Sequence, residues 1–411
     1  MQDNEKKPAL RFKGFTDPWE QRKVGELLSE RNIQAPMSDE YPLMAFIANE
    51  GVAPKGERYD RSALVNDAAG KLYKKTEFGD FIYSSNNLET GSIGLNKYGK
   101  ASISPVYSIF EPTGLADSDF IGRRFVRKDF INAMVKWRQG VIYGQWRIHE
   151  SDFVKIEVSV PKTEEQRRIG RLLDNLDTLI TLHQRKYEKL VNIKKSMLDK
   201  MFPQNGASVP EIRFKGFTDP WEQRKLGEIC DFITKGATPT TYGFSWQPDG
   251  VPFFRNDSIK DNVFVFGEFS YISEAANEVL KRSEVHGNDI LIAITGDIGK
   301  VGIIPDTVEK ANINQHIARV RIRKEALPYF VYQYLASDDT QKEYQKIKTG
   351  LSMPQLSLEQ VRDIVVKIPE FNEQGKIADC LRRIDTLITL HQRKLEKLQN
   401  IKKSCLEKMF V

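Results

Sequence analysis

The chain has 411 residues, and its 62 basic and 56 acidic side chains leave a formal net charge of only +6. With 40% hydrophobic and 29% charged residues, the composition predicts two or three folded domains and excludes a disordered chain. No apolar run reaches the ~18 residues of a membrane helix, and the polar residues 1–7 predict no secretory signal. Three cysteines without a paired spacing favour a reduced, cytoplasmic protein.

Several blocks of the chain occur twice. The block RFKGFTDPWEQRK occupies residues 11–23 and again 213–225, and DTLITLHQRK occupies 177–186 and again 385–394. Such long repeats, so far apart, indicate two copies of a whole domain rather than a solenoid of short units.

The stretches between the repeated blocks share only a skeleton, which predicts one scaffold with different surface residues. The patterns predict a buried strand over 289–294, a half-buried strand over 317–322, and helices over 328–336 and 339–347. Residues 28–160 hold 17 basic and 17 acidic side chains, and residues 230–368 hold 16 and 18. Charge alone therefore does not identify either stretch as a nucleic-acid binder.

The repeated segments after each variable stretch have apolar residues in alternating steps of four and three. This period predicts coiled-coil helices, with His183 and His391 as polar seam residues. We expect the two helices to pack as an antiparallel pair with Leu176 and Leu387 facing the partner helix. Thr163 and Gln166 have the spacing of a capping box.

The predicted architecture is α/β (α+β): two mixed α/β variable domains separated by two long antiparallel coiled-coil helices, with a pseudo-two-fold internal repeat. The predicted segments are variable domain 1 (1–160), central helix (161–202), linker (203–212), variable domain 2 (213–368) and C-terminal helix (369–411).

Motifs for catalysis are missing from the sequence. It has no GxxxxGKS/T or GxGxxG loop and no HExxH or Cys/His cluster. Pro248-Asp249 and Pro305-Asp306 could begin a nuclease site, but no ExK follows either pair. A stand-alone methyltransferase or nuclease therefore has little support. A protein-only coiled-coil scaffold would not need two diverged domains of this size.

The whole layout resembles the DNA-specificity subunit of type I restriction-modification enzymes. The resemblance rests on two unlike domains, each followed by a near-identical helix that opens with Glu-Gln, at 165–166 and 373–374. In the second domain it also rests on KGATP at 235–239, GDIGK at 296–300 and NQH at 314–316. The first domain departs from this pattern, with SSNN at 84–87 and no Asn-Gln-His.

By this resemblance, each variable domain is a target-recognition domain that reads one half of a bipartite, asymmetric site on double-stranded DNA. The helices space the domains and dock two methyltransferase subunits, which methylate adenine with S-adenosylmethionine. Restriction subunits join to cleave DNA with ATP and Mg2+. The chain itself would catalyse nothing, bind no cofactor or metal, and have no membrane partner.

A DNA-reading surface needs Arg or Lys for guanine, Asn or Gln for adenine, and cations or small polar groups for phosphates. In the first domain the candidates are Lys55, Arg58, Tyr59, Arg61, Ser84, Ser85, Asn86, Asn87, Tyr98, Lys100, Arg138, Tyr143, Gln145 and Arg147. In the second domain they are Lys235, Thr238, Arg255, Asn256, Ser258, Lys300, Asn314, Gln315, His316, Lys348, Thr349, Ser352 and Gln355.

Structural roles compete with some of these assignments. The residues 314–316 could form a turn capped by its own amides. Phe253 and Phe254 more simply fill the core. For Lys74 and Lys75 we favour a solvated charge pair over DNA contact.

Overall fold

The computed structural model describes residues 7–54, 71–140, 146–267, 269–350 and 354–411. The chain forms two compact units. Unit 1 comprises Met1–His183 and Lys394–Val411, and unit 2 comprises Gln184–Arg393. Each unit thus combines one variable domain with parts of both long helices.

Unit 1 consists of short strands and helices followed by a long helix that continues into unit 2. The helices are α1 (Val24–Leu27), α2 (Ser118–Phe125), α3 (Lys128–Val135), α4 (Glu150–Phe153) and the long α5 (Thr163–Met201). The strands are β1 (Glu20–Lys23), β2 (Leu28–Glu30), β3 (Gln34–Ala35), β4 (Ala45–Ile47), β5 (Gly51–Ala53), β6 (Tyr73–Thr76), β7 (Phe81–Tyr83), β8 (Ile93–Leu95), β9 (Ala101–Ile103), β10 (Ser108–Pro112), β11 (Gln139–Gly140), β12 (Trp146–Arg147) and β13 (Glu157–Val160).

Unit 2 has a comparable content. The helices are α6 (Glu274–Val279), α7 (Pro328–Leu335), α8 (Asp338–Ile347), α9 (Leu358–Asp363) and the long α10 (Phe371–Lys408), with 3-10 turns at Leu226–Glu228, Pro239–Tyr242, Asn256–Ser258 and Lys281–Ser283. The strands are β14 (Glu222–Lys225), β15 (Cys230–Lys235), β16 (Val251–Phe254), β17 (Ile259–Lys260), β18 (Val263–Phe264), β19 (Ser270–Ile272), β20 (Glu284–Val285), β21 (Ile290–Ala293), β22 (Val301–Ile303), β23 (Ala311–Ile313), β24 (Ile317–Ile322) and β25 (Val365–Ile368).

A four-stranded sheet has the same strand order in both units, and a second sheet differs between them. The shared antiparallel sheet has the order β2-β10-β7-β8 in unit 1 and β15-β24-β21-β22 in unit 2. The second sheet has the order β3-β6-β9 in unit 1 but β19-β16-β23-β20 in unit 2, where β16 and β23 run parallel. The common scaffold with divergent parts, expected from the sequence, is confirmed.

Each core is closed by the tryptophan of the repeated RFKGFTDPWEQRK block. In unit 1 the ring of Trp19 packs edge-on against Phe120 and Phe410, at centroid distances of 5.6 and 6.3 Å. In unit 2, Trp221 packs against Phe202 and Phe330 at 6.1 and 5.7 Å. Both copies of the block thus make an equivalent contact between a variable domain and the end of a long helix.

Two ion pairs join the long helices, whose predicted seam positions are withdrawn from solvent. The seam positions are buried or half-buried: Leu173, Leu176, Ile180, His183, Tyr187 and Leu190 on α5, and Ile377, Leu381, Ile384, Ile388, His391, Leu395 and Leu398 on α10. Within unit 1 Lys402 pairs with Asp177 at 2.5 Å, and within unit 2 Lys194 pairs with Asp385 at 2.7 Å. Residue numbers rise on one helix as they fall on the other, which confirms the antiparallel pairing.

Three local predictions are wrong. Leu387 is 43% exposed, because the 3.5-residue period places Ile384 and Ile388 in the seam instead. Gln166 forms no capping box with Thr163, since its Oε1 accepts from the backbone amide of Asp117 at 3.0 Å, while its Nε2 donates to the carbonyls of Leu115 and Pro161.

The third error concerns Lys74 and Lys75, which are buried rather than solvated. The ammonium of Lys75 donates to the carbonyl of Pro36 and the hydroxyl of Ser102, and burial lowers the pKa of this lysine. No described helix is both long and apolar enough to cross a bilayer.

The seam generates a stability prediction. Leu176 is buried in the core of unit 1, so Leu176→Asp should lower the free energy of unfolding by about 3 kcal/mol or more, since it buries an unpaired charge. The exposed Leu387→Asp is the control and should stay within about 0.5 kcal/mol of the parent. Urea unfolding measures both variants. Equal losses would contradict the observed seam register.

Candidate nucleic-acid interface

Two parallel strands of unit 2 end side by side and bring two predicted motifs together. Phe254 of β16 pairs with Ile313 of β23, and the amide of Asn314 donates to the carbonyl of Phe254 at 3.1 Å. Arg255 and Asn256 follow β16, and residues 314–316 follow β23. Parallel strands that end at one edge are a recurrent location for ligand-binding loops.

Strands β15 and β21 of the four-stranded sheet end beside residues 314–316. The amide of Ile294, just after β21, donates to the carbonyl of His316 at 2.9 Å, and the amide of Gly236, after β15, donates to Ile317 at 3.2 Å. The side-chain amide of Asn256 donates to the carbonyl of Thr295 at 2.8 Å. The segments 235–238, 255–256 and 294–300 therefore lie together.

The loop that contains Thr349 and Gln355 contacts the same segments. Thr295 and Thr349 both form bridges with Gln355, and the amide of Leu356 donates to Ile294 at 2.9 Å. We call the whole group the unit 2 edge. It consists of residues 235–238, 255–256, 294–300, 314–316, 348–349 and 355, and of Arg282, which lines one cleft together with Lys235 and Gln315. It holds every described candidate of the second domain except Ser258. Ser352 lies outside the described residues.

Two clefts open on the unit 2 edge, and Lys235 and Gln315 line both of them. One has a volume of about 460 Å3 and is lined further by Thr238, Tyr242 and Arg282. The other, of about 450 Å3, adds His316, Thr349 and Gln355. Lys235 and Gln315 thus occupy the centre of the edge.

Two cations of the edge are available for a ligand. The side chains of Lys235 and Arg282 form no ion pair with any described residue. Lys300, by contrast, pairs with Asp297 at 2.7 Å, and Lys348 donates to Gln345 at 2.7 Å. The edge is therefore locally basic although its domain is not.

Arg255 is exposed but held in place. Its guanidinium lies 4.9 Å from the ring centroid of Trp246 and donates to the hydroxyl of Ser270 at 2.8 Å. Such stacking orients the forked donors of an arginine. Sequence reasoning missed Trp246 and Arg282, because both lie outside the motifs and only the fold brings them to the edge.

Some candidates have structural partners. Ser258 is buried, and its hydroxyl accepts from the backbone amide of Arg255 at 3.3 Å. The side-chain oxygen of Asn314 accepts from the amide of His316 at 3.2 Å, so the self-capped turn weighed from the sequence is present. Phe253 and Phe254 are buried, as expected.

In unit 1, the turn 84–87 follows β7 just as 294–297 follows β21. The hydroxyl of Ser85 accepts from the amide of Ile148 at 3.0 Å, and the side-chain oxygen of Asn86 accepts from the amide of Trp146 at 2.6 Å. Ser84 is buried and Asn87 is exposed. This turn therefore anchors the strand that carries Arg147, whose side chain is 57% exposed.

Arg138 is near the same turn but already paired. Both its terminal nitrogens donate to the carboxylate of Glu89 at 2.7 Å, and this guanidinium lowers the pKa of Glu89. The structure thus groups Arg138 and Arg147 with residues 84–87.

Tyr98 and Lys100 do not join that group. Leu95 at the end of β8 pairs with Phe81 at the start of β7, so the residues that follow β8 lie at the opposite edge of the sheet. Lys100 there forms an ion pair with Glu40. The remaining first-domain candidates lie outside the described residues: Lys55, Arg58, Tyr59, Arg61, Tyr143 and Gln145.

No set of three or more His, Cys, Asp or Glu side chains that could hold a metal ion occurs within the described ranges.

The comparison with protein families matches both repeats. The model of the type I restriction modification DNA specificity domain matches residues 17–192 and again 218–400. The chain belongs to this family. The duplicated frame and the Glu-Gln helices, from which the resemblance was inferred, are thereby explained.

Two curated relatives and one solved structure match more than two thirds of this chain. The MjaVIII specificity subunit of Methanocaldococcus jannaschii is 23% identical, over 94% of this chain and 91% of its own length. The putative MjaX specificity subunit of the same organism is 25% identical over 69% of this chain, a match that spans 64% of that relative. The crystal structure of a type I S subunit from M. genitalium covers 98% of this chain and 99% of its own, with a TM-score of 0.57 and 15% identity, which shows a shared fold.

Proposed function

We propose that this chain is the non-catalytic DNA-specificity subunit of a type I restriction-modification complex. Each variable domain reads one half of a bipartite, asymmetric site. One observation carries the proposal: a four-stranded sheet has the same strand order in both units, yet different residues follow the equivalent strands. Two such surfaces on one scaffold suit two unrelated half-sites.

The unit 2 edge has the chemistry that duplex DNA requires. Lys235 and Arg282 supply cations for phosphates, which position a protein without reading sequence. Arg255 and Gln315 supply the forked and amide groups that match guanine and adenine in the major groove. In unit 1, the exposed described candidates at the turn after β7 and beside it are Asn86, Asn87 and Arg147.

The helices carry a second duplicated surface. Leu179 and Leu182 are 42% and 44% exposed on α5, and their repeat equivalents Leu387 and Leu390 are 43% and 44% exposed on α10. All four lie outside the seam. Exposed apolar residues that recur at equivalent positions support docking of two identical partners.

We assign these partners as methyltransferase subunits. They would supply S-adenosylmethionine chemistry on adenine, and restriction subunits would supply ATP- and Mg2+-dependent cleavage. The present chain would select the site and hold the assembly together. Salt-dependent DNA binding distinguishes this function from a protein-only scaffold, and methyl transfer by the purified chain would support an enzyme instead.

Lys235→Ala should weaken binding of the assembled complex to its DNA. Loss of one phosphate contact should lower the slope of log K against log salt by about 1 and act on all sequences alike. The control is Lys310→Ala. Lys310 precedes β23 at the opposite edge and pairs with Glu274 at 2.7 Å. Binding titrations at several salt concentrations measure both. An unchanged slope for Lys235→Ala would exclude this contact.

The leucine pairs should each hold one methyltransferase subunit. Replacing Leu179 and Leu182 by Ser, or Leu387 and Leu390 by Ser, should reduce the stoichiometry from two subunits to one. Native mass spectrometry of the co-purified complex gives the count. Val191→Ser is the control, because Val191 is 38% exposed on α5 but has Gln399 as its repeat equivalent. Two bound subunits in either double variant would contradict docking at these leucines.

The halves should be exchangeable. Replacing residues 230–368 with the corresponding domain of a relative should change one half of the methylated motif and leave the other half intact, because each recognition domain has its own core. Sequencing of methylated adenines in cells that carry the chimaera gives the motif. A palindromic motif, or a change in both halves, would contradict the proposal.

A further inference from the structure

We propose that Gln315 reads adenine in the half-site of the second domain, and that Thr238 and His316 are the positioning residues that fix its amide. This inference rests on the proposed function. It goes further by assigning one base to one side chain and by explaining how that side chain is oriented before DNA binds.

The side chain of Gln315 is held from both sides. The hydroxyl of Thr238 donates to the Oε1 atom of Gln315 at 2.5 Å. The Nε2 atom of Gln315 lies 3.1 Å from Nε2 of His316, which accepts from the amide. Gln315 is nevertheless exposed and lines both clefts of the unit 2 edge.

The remaining hydrogen-bonding capacity of this amide matches adenine. A glutamine amide has two acceptor lone pairs and two donor hydrogens. Thr238 uses one lone pair and His316 uses one hydrogen, so one of each remains. Adenine offers one donor at N6 and one acceptor at N7 in the major groove, and a bidentate contact needs only that remaining pair.

The count does not depend on which way the amide is turned. With oxygen and nitrogen exchanged, Nε2 donates to the Thr238 hydroxyl and Oε1 accepts from His316. One lone pair and one hydrogen are still left. The two partners therefore fix the plane of the amide in either orientation, and a preoriented group loses less side-chain entropy on binding.

The other amides of the edge are less suited to this task. Asn256 donates to the carbonyl of Thr295 and its Oδ1 is buried. Asn314 caps its own turn through Oδ1. Gln355 is exposed, and its side chain has no hydrogen-bond partner among the described residues. Gln315 alone among these four is both exposed and held.

The first test uses the full chain expressed with its methyltransferase, with methylated adenines mapped by sequencing. Gln315→Ala should lower discrimination at one A·T pair of the second half-site by roughly 5- to 150-fold, the value of one bidentate contact. Gln315→Glu should shift the preference at that position towards cytosine, whose N4 amino group donates to a carboxylate. Gln223→Ala is the control and should keep the parent motif, because Gln223 is exposed on β14, outside the unit 2 edge.

The second test addresses the positioning role. Thr238→Val removes the hydroxyl at nearly constant volume and should weaken discrimination at the same base pair. Thr238→Ser restores the donor and should restore discrimination. A purely structural role would lower methylation at every site in Thr238→Val without relaxing one base pair.

Relaxation at one A·T pair in Gln315→Ala and Thr238→Val, but not in Thr238→Ser, supports the proposal. It is overturned by an unchanged motif, by relaxation at a G·C pair, by the same loss in Gln223→Ala, or by complete loss of methylation in a variant that still co-purifies with the methyltransferase. If the parent chain itself directs no methylation to a split motif, the proposed function fails instead.

Discussion

Each long helix begins with a buried carboxylate and amide that join three parts of its unit. In unit 2, Arg213 donates through Nε and Nη2 to both oxygens of Glu373, at 2.8 and 2.6 Å. Gln374 accepts from the amide of Leu327 and donates to Pro369. Removing one partner of such a buried ion pair costs about 3–5 kcal/mol. Unit 1 repeats the arrangement with Arg11 and Glu165, so the repeated arm, the domain and the helix are tied together in both copies.

A second set of polar contacts joins the repeated helices to the variable domains. Asp385 accepts from Lys194 on the helix side, and from Tyr329 and Gln333 of α7 on the domain side. In unit 1 the equivalent Asp177 accepts from Lys402, but its domain partner is Arg123 of α2. The partner from the other long helix is a lysine in both units, whereas the partners from the variable domain differ. A recognition domain can therefore diverge while its attachment to the helices is retained.

Periodicity and repetition in the sequence were enough to predict the seam, the antiparallel helices and the buried strand of β21. The candidate site was only partly predictable. The residues of the unit 2 edge were found because they stand in polar clusters directly after apolar strands. Tyr98 and Lys100 lie at the other edge of the sheet from residues 84–87, because strand direction depends on pairing, which no local pattern contains. Burial of Lys75 depends on a carbonyl 39 positions away, a contact that composition cannot indicate.

A domain without net positive charge can still present a basic surface, because only nearby charges act on a ligand. Screening limits exposed charges to about 8 Å at physiological ionic strength. Many of the acidic groups of unit 2 are neutralised locally, as Asp289 is by Arg321 at 2.6 Å. Lys235 and Arg282 have no such partner among the described residues. The loops of the edge follow strands whose side chains fill the core, so their residues can change without disturbing it. The residues of this edge can therefore vary at little cost to the stability of the frame.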